Sequence, residues 1–237
     1  MARIRSIKPE FWSDDVVGTL TRDARLMFIA SWNFADDEGL LRWTPAFLKA
    51  SAFMYDGDVK VAKVQGLMAE AVEAGLVFPY VSGRAAGTLA CIVNFRKHQK
   101  VNRPQPGKLP PPSIQSRDVI EMYARRDGWI CHLCKGPVDH EWHGAPIDPY
   151  ALDAQDKRSI SASPDHIIPR SRGGSDYPSN IATSHLGCNQ GRADRAIEGF
   201  QMPMSVRRLL MPDSVNQSVN GSVNESLSPH AEEVKAQ

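Results

Sequence analysis

The sequence predicts an α+β fold made of two modules, and three observations support this. The first hundred residues carry helical and strand patterns in turn and end in a hairpin signal. A basic stretch rich in proline follows, which is typical of a linker. Beyond it, two pairs of metal-ligand residues flank a polar segment. We place the modules at 1–100 and 117–200, the linker at 101–116 and a mostly disordered tail at 201–237.

Length and composition exclude several classes of protein. A chain of 237 residues is long enough for two small domains. The net charge of +1 says little about partners. No apolar run reaches the ~18–20 residues of a membrane span, and the N-terminus lacks the apolar core of a secretory signal. The four cysteines, two of them in a C-x-x-C, favour a metal site over disulfides. We therefore expect a cytoplasmic protein.

Each element of the first module has a local signal. Helices are predicted from caps and apolar spacing, and strands from short apolar runs beside turn residues. In chain order, the signals are a helix capped by Thr21 that ends near the turn at 36–39, a strand from Leu40 to Trp43, a helix from Thr44-Pro45 to Phe53, a helix capped by Asp58 and ended by Gly75, and strands Leu76–Val81 and Thr88–Phe95.

This order of elements is that of a winged helix, in which the third helix enters the major groove of DNA and the hairpin contacts the backbone. Lys60 and Lys63 would lie on the third helix and Arg84 at the hairpin tip. The alternative is a small α+β domain that binds protein or nothing, because a fold does not fix a function. Basic side chains after the hairpin favour contact with phosphates. They are Arg96, Lys97, Lys100 and Arg103.

The first module also resembles a known group of domains. The stretches from Arg3 to Trp12 and from Asn94 to Pro104 are similar to the N-terminal domain of bacteriophage replication or replisome-organiser proteins. The resemblance implies a phage-encoded protein in the cytoplasm of a bacterial host. It also implies phage replication or packaging proteins as partners.

Two pairs of ligand residues in the second module predict a structural zinc site. Cys131 and Cys134 form one pair, and His185 and Cys188 form the other. Each tight turn presents two donors, and two such turns complete a tetrahedral Cys3His site. The alternatives are a redox pair or chance for the C-x-x-C and a surface histidine for His185. His140 and His143 are rival donors that we interpret as loop residues.

The segment between the pairs predicts a strand, a loop, a second strand and a helix. Asp165 and His166 precede an apolar pair and a proline, as at the end of a strand. The stretch 170–179 has the glycines of a loop. A short strand at 181–184 follows, and then a charged helix at 189–198. With zinc at the base, this order brings Asp165, His166 and Asn189 towards one place.

Residues 125–195 thus resemble the HNH endonucleases, a family with a ββα-metal active site. The resemblance rests on the Asp-His pair, the Gly-Gly loop, Asn180 and the Cys188-Asn189 pair in family order. It implies that His166 is the general base and that Asp165 and Asn189 bind a catalytic divalent cation, Mg²⁺ or Mn²⁺. It implies that Asn180 fixes the loop that orients His166. His185 stands where the family usually has cysteine, and imidazole is an acceptable zinc donor.

We therefore expect an endonuclease that hydrolyses phosphodiester bonds of DNA, most simply duplex DNA, and that the first module directs to its substrate. Arg192, one turn after Asn189, is expected to contact a phosphate. The second class is a non-enzymatic replication or regulatory protein that binds DNA and uses zinc as a scaffold. The third class is a zinc-stabilised module for protein interaction, which the basic linker disfavours.

Overall fold

A computed structural model of the chain describes residues 2–140 and 158–211. Within these ranges the fold is mixed α+β with two small sheets. No helix in the described ranges is both long enough and apolar enough to span a membrane. Short 3-10 helices also occur. They are Pro9–Ser13, Arg170–Arg172 and Pro178–Asn180.

The first module has the order helix, strand, two helices and hairpin that the sequence predicts. Thr21 and Thr44 cap their helices, each accepting a backbone N–H at 3.3 Å. The elements are α1 (Asp15–Gly18), α2 (Arg22–Phe34), β1 (Leu40–Arg42), α3 (Pro45–Ala52), α4 (Val61–Glu73), β2 (Val77–Val81), β3 (Thr88–Ile92) and α5 (Phe95–His98). The strands form one antiparallel sheet in the order β1–β3–β2.

Two boundaries of this module differ from the prediction by more than one residue. The cap of α4 is Lys60 rather than Asp58, and it makes no side-chain hydrogen bond to the helix. The strand β3 ends at Ile92 instead of Phe95. Asn94 has a left-handed φ of 62°, which ends the extended backbone and starts the short helix α5.

The sheet carries apolar side chains on both of its faces. Leu41, Ala90 and Ile92 pack against α2, α3 and α4 in the main core. Neighbouring residues of a strand point to opposite faces, so Leu40 and Cys91 lie on the other side. That second face is covered by residues of the linker and of the second module. They are Leu109, Ile114, Met122, Tyr123, Tyr177 and Ile181.

The proline-rich linker is held by hydrogen bonds to the turn at 36–39. The carboxylate of Asp36 accepts the backbone N–H of Lys108 at 2.9 Å, and that of Asp37 accepts the N–H of Gln105 at 2.9 Å. Tyr177 of the second module donates its hydroxyl to the carbonyl of Gly107 at 2.9 Å. The linker is therefore in contact with both modules along its length.

From residue 117 onwards, the described residues include a helix, two paired strands and two further helices. These are α6 (Arg117–Arg126), β4 (Ala162–His166), β5 (Ile181–His185), α7 (Leu186–Arg192) and α8 (Met204–Leu210). The strands are antiparallel, and His166 pairs with Ile181 at the end of the ladder.

The predicted helix at 189–198 is wrong in its bounds. The helix α7 starts directly after β5 at Leu186 and stops at Arg192, because Ala193 has a left-handed φ of 52°. Within the predicted tail, Met204–Leu210 form the helix α8. Its Val206 is fully buried against Cys131 and Cys188. The rest of the predicted disordered tail, from 212 onwards, lies outside the described residues.

Candidate functional site

Cys131, Cys134, His185 and Cys188 form one cluster, in which Cys134 is half-buried and the other three are buried. Their ligand atoms all lie within 4.8 Å of one another. A tight turn holds the first pair, in which Cys131 donates its backbone N–H to the carbonyl of Gly136 at 2.9 Å. The second pair sits where β5 passes into α7. The four residues that the sequence predicted as ligands are therefore brought together, and none of the cysteines forms a disulfide.

The hydrogen bonds of this cluster prepare it for a cation. The carbonyl of Pro137 lies 2.8 Å from His185 Nε2, and a carbonyl can only accept. Nε2 therefore carries the hydrogen, and Nδ1 faces the thiols of Cys134 at 3.3 Å and Cys188 at 3.6 Å. Such a bond to the outer nitrogen is typical of histidines that bind metal.

The pKa shifts of Cys131 and His185 also favour a positive charge at this cluster. Hydrogen bonds from the Cys134 and Cys188 thiols lower the pKa of Cys131. Burial alone would lower the pKa of His185, but hydrogen bonds to Cys131 and Cys134 outweigh burial and raise it to about 10. A divalent cation would replace the shared protons. Three sulfurs and one imidazole match the ligands of structural zinc, so the cluster could hold a zinc ion.

Of the two rival histidines, the one that the structure describes is not part of this cluster. The ring of His140 stacks on Trp129, with 3.8 Å between the ring centroids. His143 lies outside the described residues.

The strand β4 presents Asp165 and His166 at its end. They are consecutive, so their side chains leave the strand on opposite faces. The side chain of Asp165 is 4 % exposed, and its Oδ2 accepts from the guanidinium of Arg192 and lies 2.7 Å from His132 Nε2. Among the described residues, no hydrogen-bond donor contacts Oδ1 of Asp165. That oxygen is available to a ligand.

Asn189 lies in the first turns of α7, beside β4. Its amide nitrogen donates to the hydroxyl of Ser163 at 3.0 Å and to the carbonyl of Pro164 at 3.1 Å. Because both N–H groups are bound to β4, the orientation of the amide is fixed. Within the described ranges its Oδ1 has no hydrogen-bond partner. Two oxygens of the type that Mg²⁺ and Mn²⁺ prefer, from Asp165 and Asn189, are thus available on adjacent elements.

His166 forms a hydrogen-bonded pair with Asp176 of the following loop. Its Nε2 lies 2.7 Å from Oδ1 of Asp176, which Arg170 also contacts. The hydrogen bond from Arg170 outweighs burial and lowers the pKa of Asp176, so this carboxylate is ionised at neutral pH. An ionised carboxylate only accepts, so Nε2 carries a hydrogen, and in the neutral ring Nδ1 is then the nitrogen with the free electron pair. In this tautomer Nδ1 is the atom that can accept a proton.

Asn180 closes the loop that links the two strands. Its Oδ1 accepts the N–H of Ile168 at 2.9 Å. Its Nδ2 donates to the carbonyls of Ile168 at 3.0 Å and Ser175 at 2.8 Å. Gly174 completes the closure, because a Cβ there would meet the carbonyl oxygen of Ile168 at 1.7 Å. The loop therefore has one compact conformation, which begins two residues after His166.

This loop and its two strands lie in a part of the chain that matches a known protein family. Residues 155–195 match the family model for HNH endonuclease. We call them the HNH segment. No curated protein and no solved structure matches the chain. The match indicates a nuclease-type function and a nucleic acid substrate. The HNH segment includes β4, β5 and α7, and with them the second pair of the Cys3His cluster, whereas the first pair lies before it.

The structure gives Arg192 of the HNH segment different partners from the phosphate that the sequence suggested. Its side chain is 1 % exposed. Besides Asp165, its guanidinium donates to the carbonyls of His166 and Ile167, each at 2.9 Å. The guanidinium N–H groups that would bind a phosphate are therefore already bonded within the protein. Arg192 therefore fixes the end of β4 to α7.

The other basic residues predicted to contact DNA all lie at the surface of the first module or the linker. Two of them form ion pairs, Lys63 with Asp23 at 2.5 Å and Arg96 with Glu38 at 2.9 Å. Residues with exposed side chains are Lys60, Lys63, Arg84, Arg96, Lys97, Lys100 and Arg103.

Two site residues were missed by the sequence analysis. His132 sits inside the C-x-x-C pair and reaches Asp165, and Asp176 sits just after the two glycines and holds His166. The sequence does carry a signal for each, because both are ionisable residues within three positions of a predicted ligand or loop glycine. Their partners are distant in sequence, however, so only the fold shows the contacts.

Proposed function

We propose that the chain is a metal-dependent HNH endonuclease that hydrolyses phosphodiester bonds of DNA. In this proposal His166 is the general base. Asp165 and Asn189 hold one catalytic divalent cation, Mg²⁺ or Mn²⁺, and Cys131, Cys134, His185 and Cys188 hold a structural zinc ion. The observation that carries the proposal is the pair of His166 and Asp176 at the end of β4, inside the HNH segment.

The arrangement of β4 supports this chemistry. His166 Nδ1 would take a proton from the attacking water, while Asp176 stabilises the imidazolium that forms. The cation, when bound, would stabilise negative charge on the scissile phosphate and on the leaving 3′ oxygen. Attack in line with the leaving group needs base and cation on opposite sides of the phosphorus. Asp165 and His166, on opposite faces of the strand, suit that requirement.

A cleavage assay with His166→Ala tests the chemistry. Purified full-length protein is incubated with supercoiled plasmid and Mg²⁺ or Mn²⁺, and nicked and linear products are measured. We expect His166→Ala to lose ~10²–10⁴-fold in rate, as is typical when a general base is removed, with the thermal unfolding midpoint unchanged. The exposed His98→Gln serves as the control. No cleavage by the wild type with any divalent cation would favour the non-enzymatic DNA-binding alternative.

We also propose that the first module is a winged helix that brings the HNH segment to duplex DNA. The helices α2 to α4, the sheet order and the exposed basic residues support it. A phage origin, a bacterial cytoplasmic location and phage replication or packaging partners rest on the sequence resemblance of this module alone.

Salt dependence of DNA binding tests the role of the module. In full-length His166→Ala protein, glutamine at Arg96, Lys97, Lys100 and Arg103 should flatten the slope of log K against log salt by up to ~0.9 for each phosphate that is no longer neutralised. Glutamine at the exposed Arg207 and Arg208 of α8 is the control. Alanine at Lys60 and Lys63 should instead change sequence preference. An unchanged slope in the fourfold variant would contradict the proposed role of these four side chains.

A further inference from the structure

His132 joins the Cys3His cluster to the carboxylate of Asp165. It lies between Cys131 and Cys134, and its backbone N–H donates to the carbonyl of Thr183 in β5 at 2.8 Å. Its ring reaches β4, where Nε2 lies 2.7 Å from Oδ2 of Asp165. The side chains of His132 and Asp165 are 18 % and 4 % exposed. The contact is thus largely shielded from water.

We propose that His132 is a positioning residue of the nuclease site, which orients Asp165 for the divalent cation. Cation binding would then depend on the fold of the turn that carries Cys131 and Cys134, which we call the zinc turn. This inference rests on the proposed function, since it assigns Asp165 to the cation. It adds a residue that lies outside the HNH segment.

The contacts of Asp165 support this role. Arg192 of α7 also binds Oδ2, and its guanidinium is bonded as well to the carbonyls of His166 and Ile167 at the end of β4. His132 approaches from a separate element. Donors from two directions fix the rotation of the carboxylate, which leaves Oδ1 free of donors among the described residues. An oriented carboxylate binds a cation better, because it loses less rotational freedom on binding.

The zinc turn determines where the His132 ring lies. The cysteines on either side belong to the cluster, and the backbone of His132 is tied to β5. A shift of the turn backbone, which its backbone hydrogen bonds to Gly136 and Thr183 hold in place, would move the ring relative to Asp165. Lys135 of the same turn provides a matched control, because its side chain donates to the backbone carbonyl of His132 and not to its ring.

The test measures Mn²⁺ affinity by electron paramagnetic resonance, together with zinc content, unfolding midpoint, kcat and KM, on full-length protein. His132→Phe should keep zinc and stability but bind Mn²⁺ roughly 10- to 100-fold more weakly, a size typical of residues that support metal ligands. The value of kcat should fall, while KM for DNA stays unchanged. His132→Gln, which retains an N–H donor, should recover part of the loss. Lys135→Met should behave as wild type.

The outcomes separate this inference from the proposed function. Equal Mn²⁺ affinity and kcat in His132→Phe and wild type would overturn it, and so would loss of zinc or unfolding, which would make His132 part of the zinc scaffold. If wild type does not cleave DNA yet His132→Phe weakens Mn²⁺ binding, the positioning role stands and the nuclease proposal fails. If Asp165→Asn binds Mn²⁺ as wild type does, both fail.

Discussion

At the scale of single residues, the two carboxylates beside β4 differ in their surroundings. Asp165 is buried between Arg192 and His132, whereas the Asp176 side chain is 32 % exposed and bonded to His166 and Arg170. A buried, doubly bonded carboxylate is suited to hold a cation in a fixed place. A partly exposed carboxylate on a histidine is suited to stabilise a proton. In the proposed reaction we therefore expect the two carboxylates to serve different steps, although both are aspartates.

Asp176→Asn tests the second role. The substitution keeps the shape of the side chain but removes the charge that stabilises imidazolium. A hydrogen bond to a charged group contributes roughly 1.5–3 kcal/mol, so kcat should fall roughly 10- to 100-fold while KM for DNA stays constant. The exposed Asp194→Asn in the same module is the control. Steady-state cleavage kinetics measure the effect, and a kcat equal to that of wild type would remove Asp176 from the mechanism.

The sequence predicted the metal ligands better than the residues that hold the site's side chains in place. The spacing of Cys131 to Cys134 and of His185 to Cys188 was sufficient to predict one cluster, which the structure confirms. The contacts of His132 and Asp176 depend on how a turn and a loop pack against β4. Spacing along the chain carries no information about such packing, so these supports could not be predicted.

At the scale of elements, the loop between β4 and β5 is closed by one side chain and one glycine. Asn180 makes three hydrogen bonds to loop backbone, and Gly174 lets the chain pass next to the carbonyl of Ile168. The neighbouring Gly173 has a left-handed φ of 83° and open space around it. The two adjacent glycines are therefore needed for different reasons.

Gly174→Ala and Gly173→Asn separate these reasons. A methyl group at 174 must displace backbone, so the free energy of unfolding should fall by roughly 1–3 kcal/mol, and cleavage should fall with it because His166 is displaced. Asparagine tolerates a left-handed φ, and Gly173→Asn should cost about 1 kcal/mol or less. Urea unfolding of the full chain measures both values. Equal losses for the two variants would show that space next to Ile168 does not matter.

Element boundaries show what local patterns can and cannot predict. Caps formed by a side chain, as at Thr21 and Thr44, were predicted correctly because their hydrogen bonds are local. The start of α7 at Leu186 was not predicted. It follows from the direct junction of β5 with the helix, where His185 and Cys188 must face the same cluster. Tertiary contacts decided that boundary.

At the scale of the whole molecule, the acidic turn at 36–39 binds both the N-terminal residues Arg3 and Arg5 and the linker. The Asp37 carboxylate is buried and pairs with Arg3 and Arg5, each at 2.9 Å, and with the N–H of Gln105. Asp36 and Glu38 hold Lys108, Leu109 and Ser179 through backbone N–H groups. The position of the second module relative to the first is therefore tied to three adjacent acidic side chains.

Asp37→Asn should change how stability depends on pH. Burial raises the pKa of Asp37, but the N–H of Gln105 and the two arginines outweigh burial and hold it below 3.8. The carboxylate therefore stabilises the fold above about pH 3.8, and this contribution is lost as the pH falls through the lower folded value. At pH 7 the Asp37→Asn variant should be less stable than wild type by up to roughly 3–5 kcal/mol. Below pH 4 its stability should change less with pH than that of wild type. Urea midpoints from pH 3 to 7, with Asp194→Asn as control, measure this, and parallel curves would contradict it.

The sheet with apolar side chains on both faces has a consequence for how the chain can be divided. A fragment that stops before the linker would leave Leu40, Tyr80, Leu89 and Cys91 facing water, and exposed apolar strands of this kind associate with one another. Expression trials that cut the gene near codon 100 should yield insoluble material. A fragment that retains Leu109 would keep part of the cover. Grafting the first module onto another protein would therefore require a new cover for this face of the sheet.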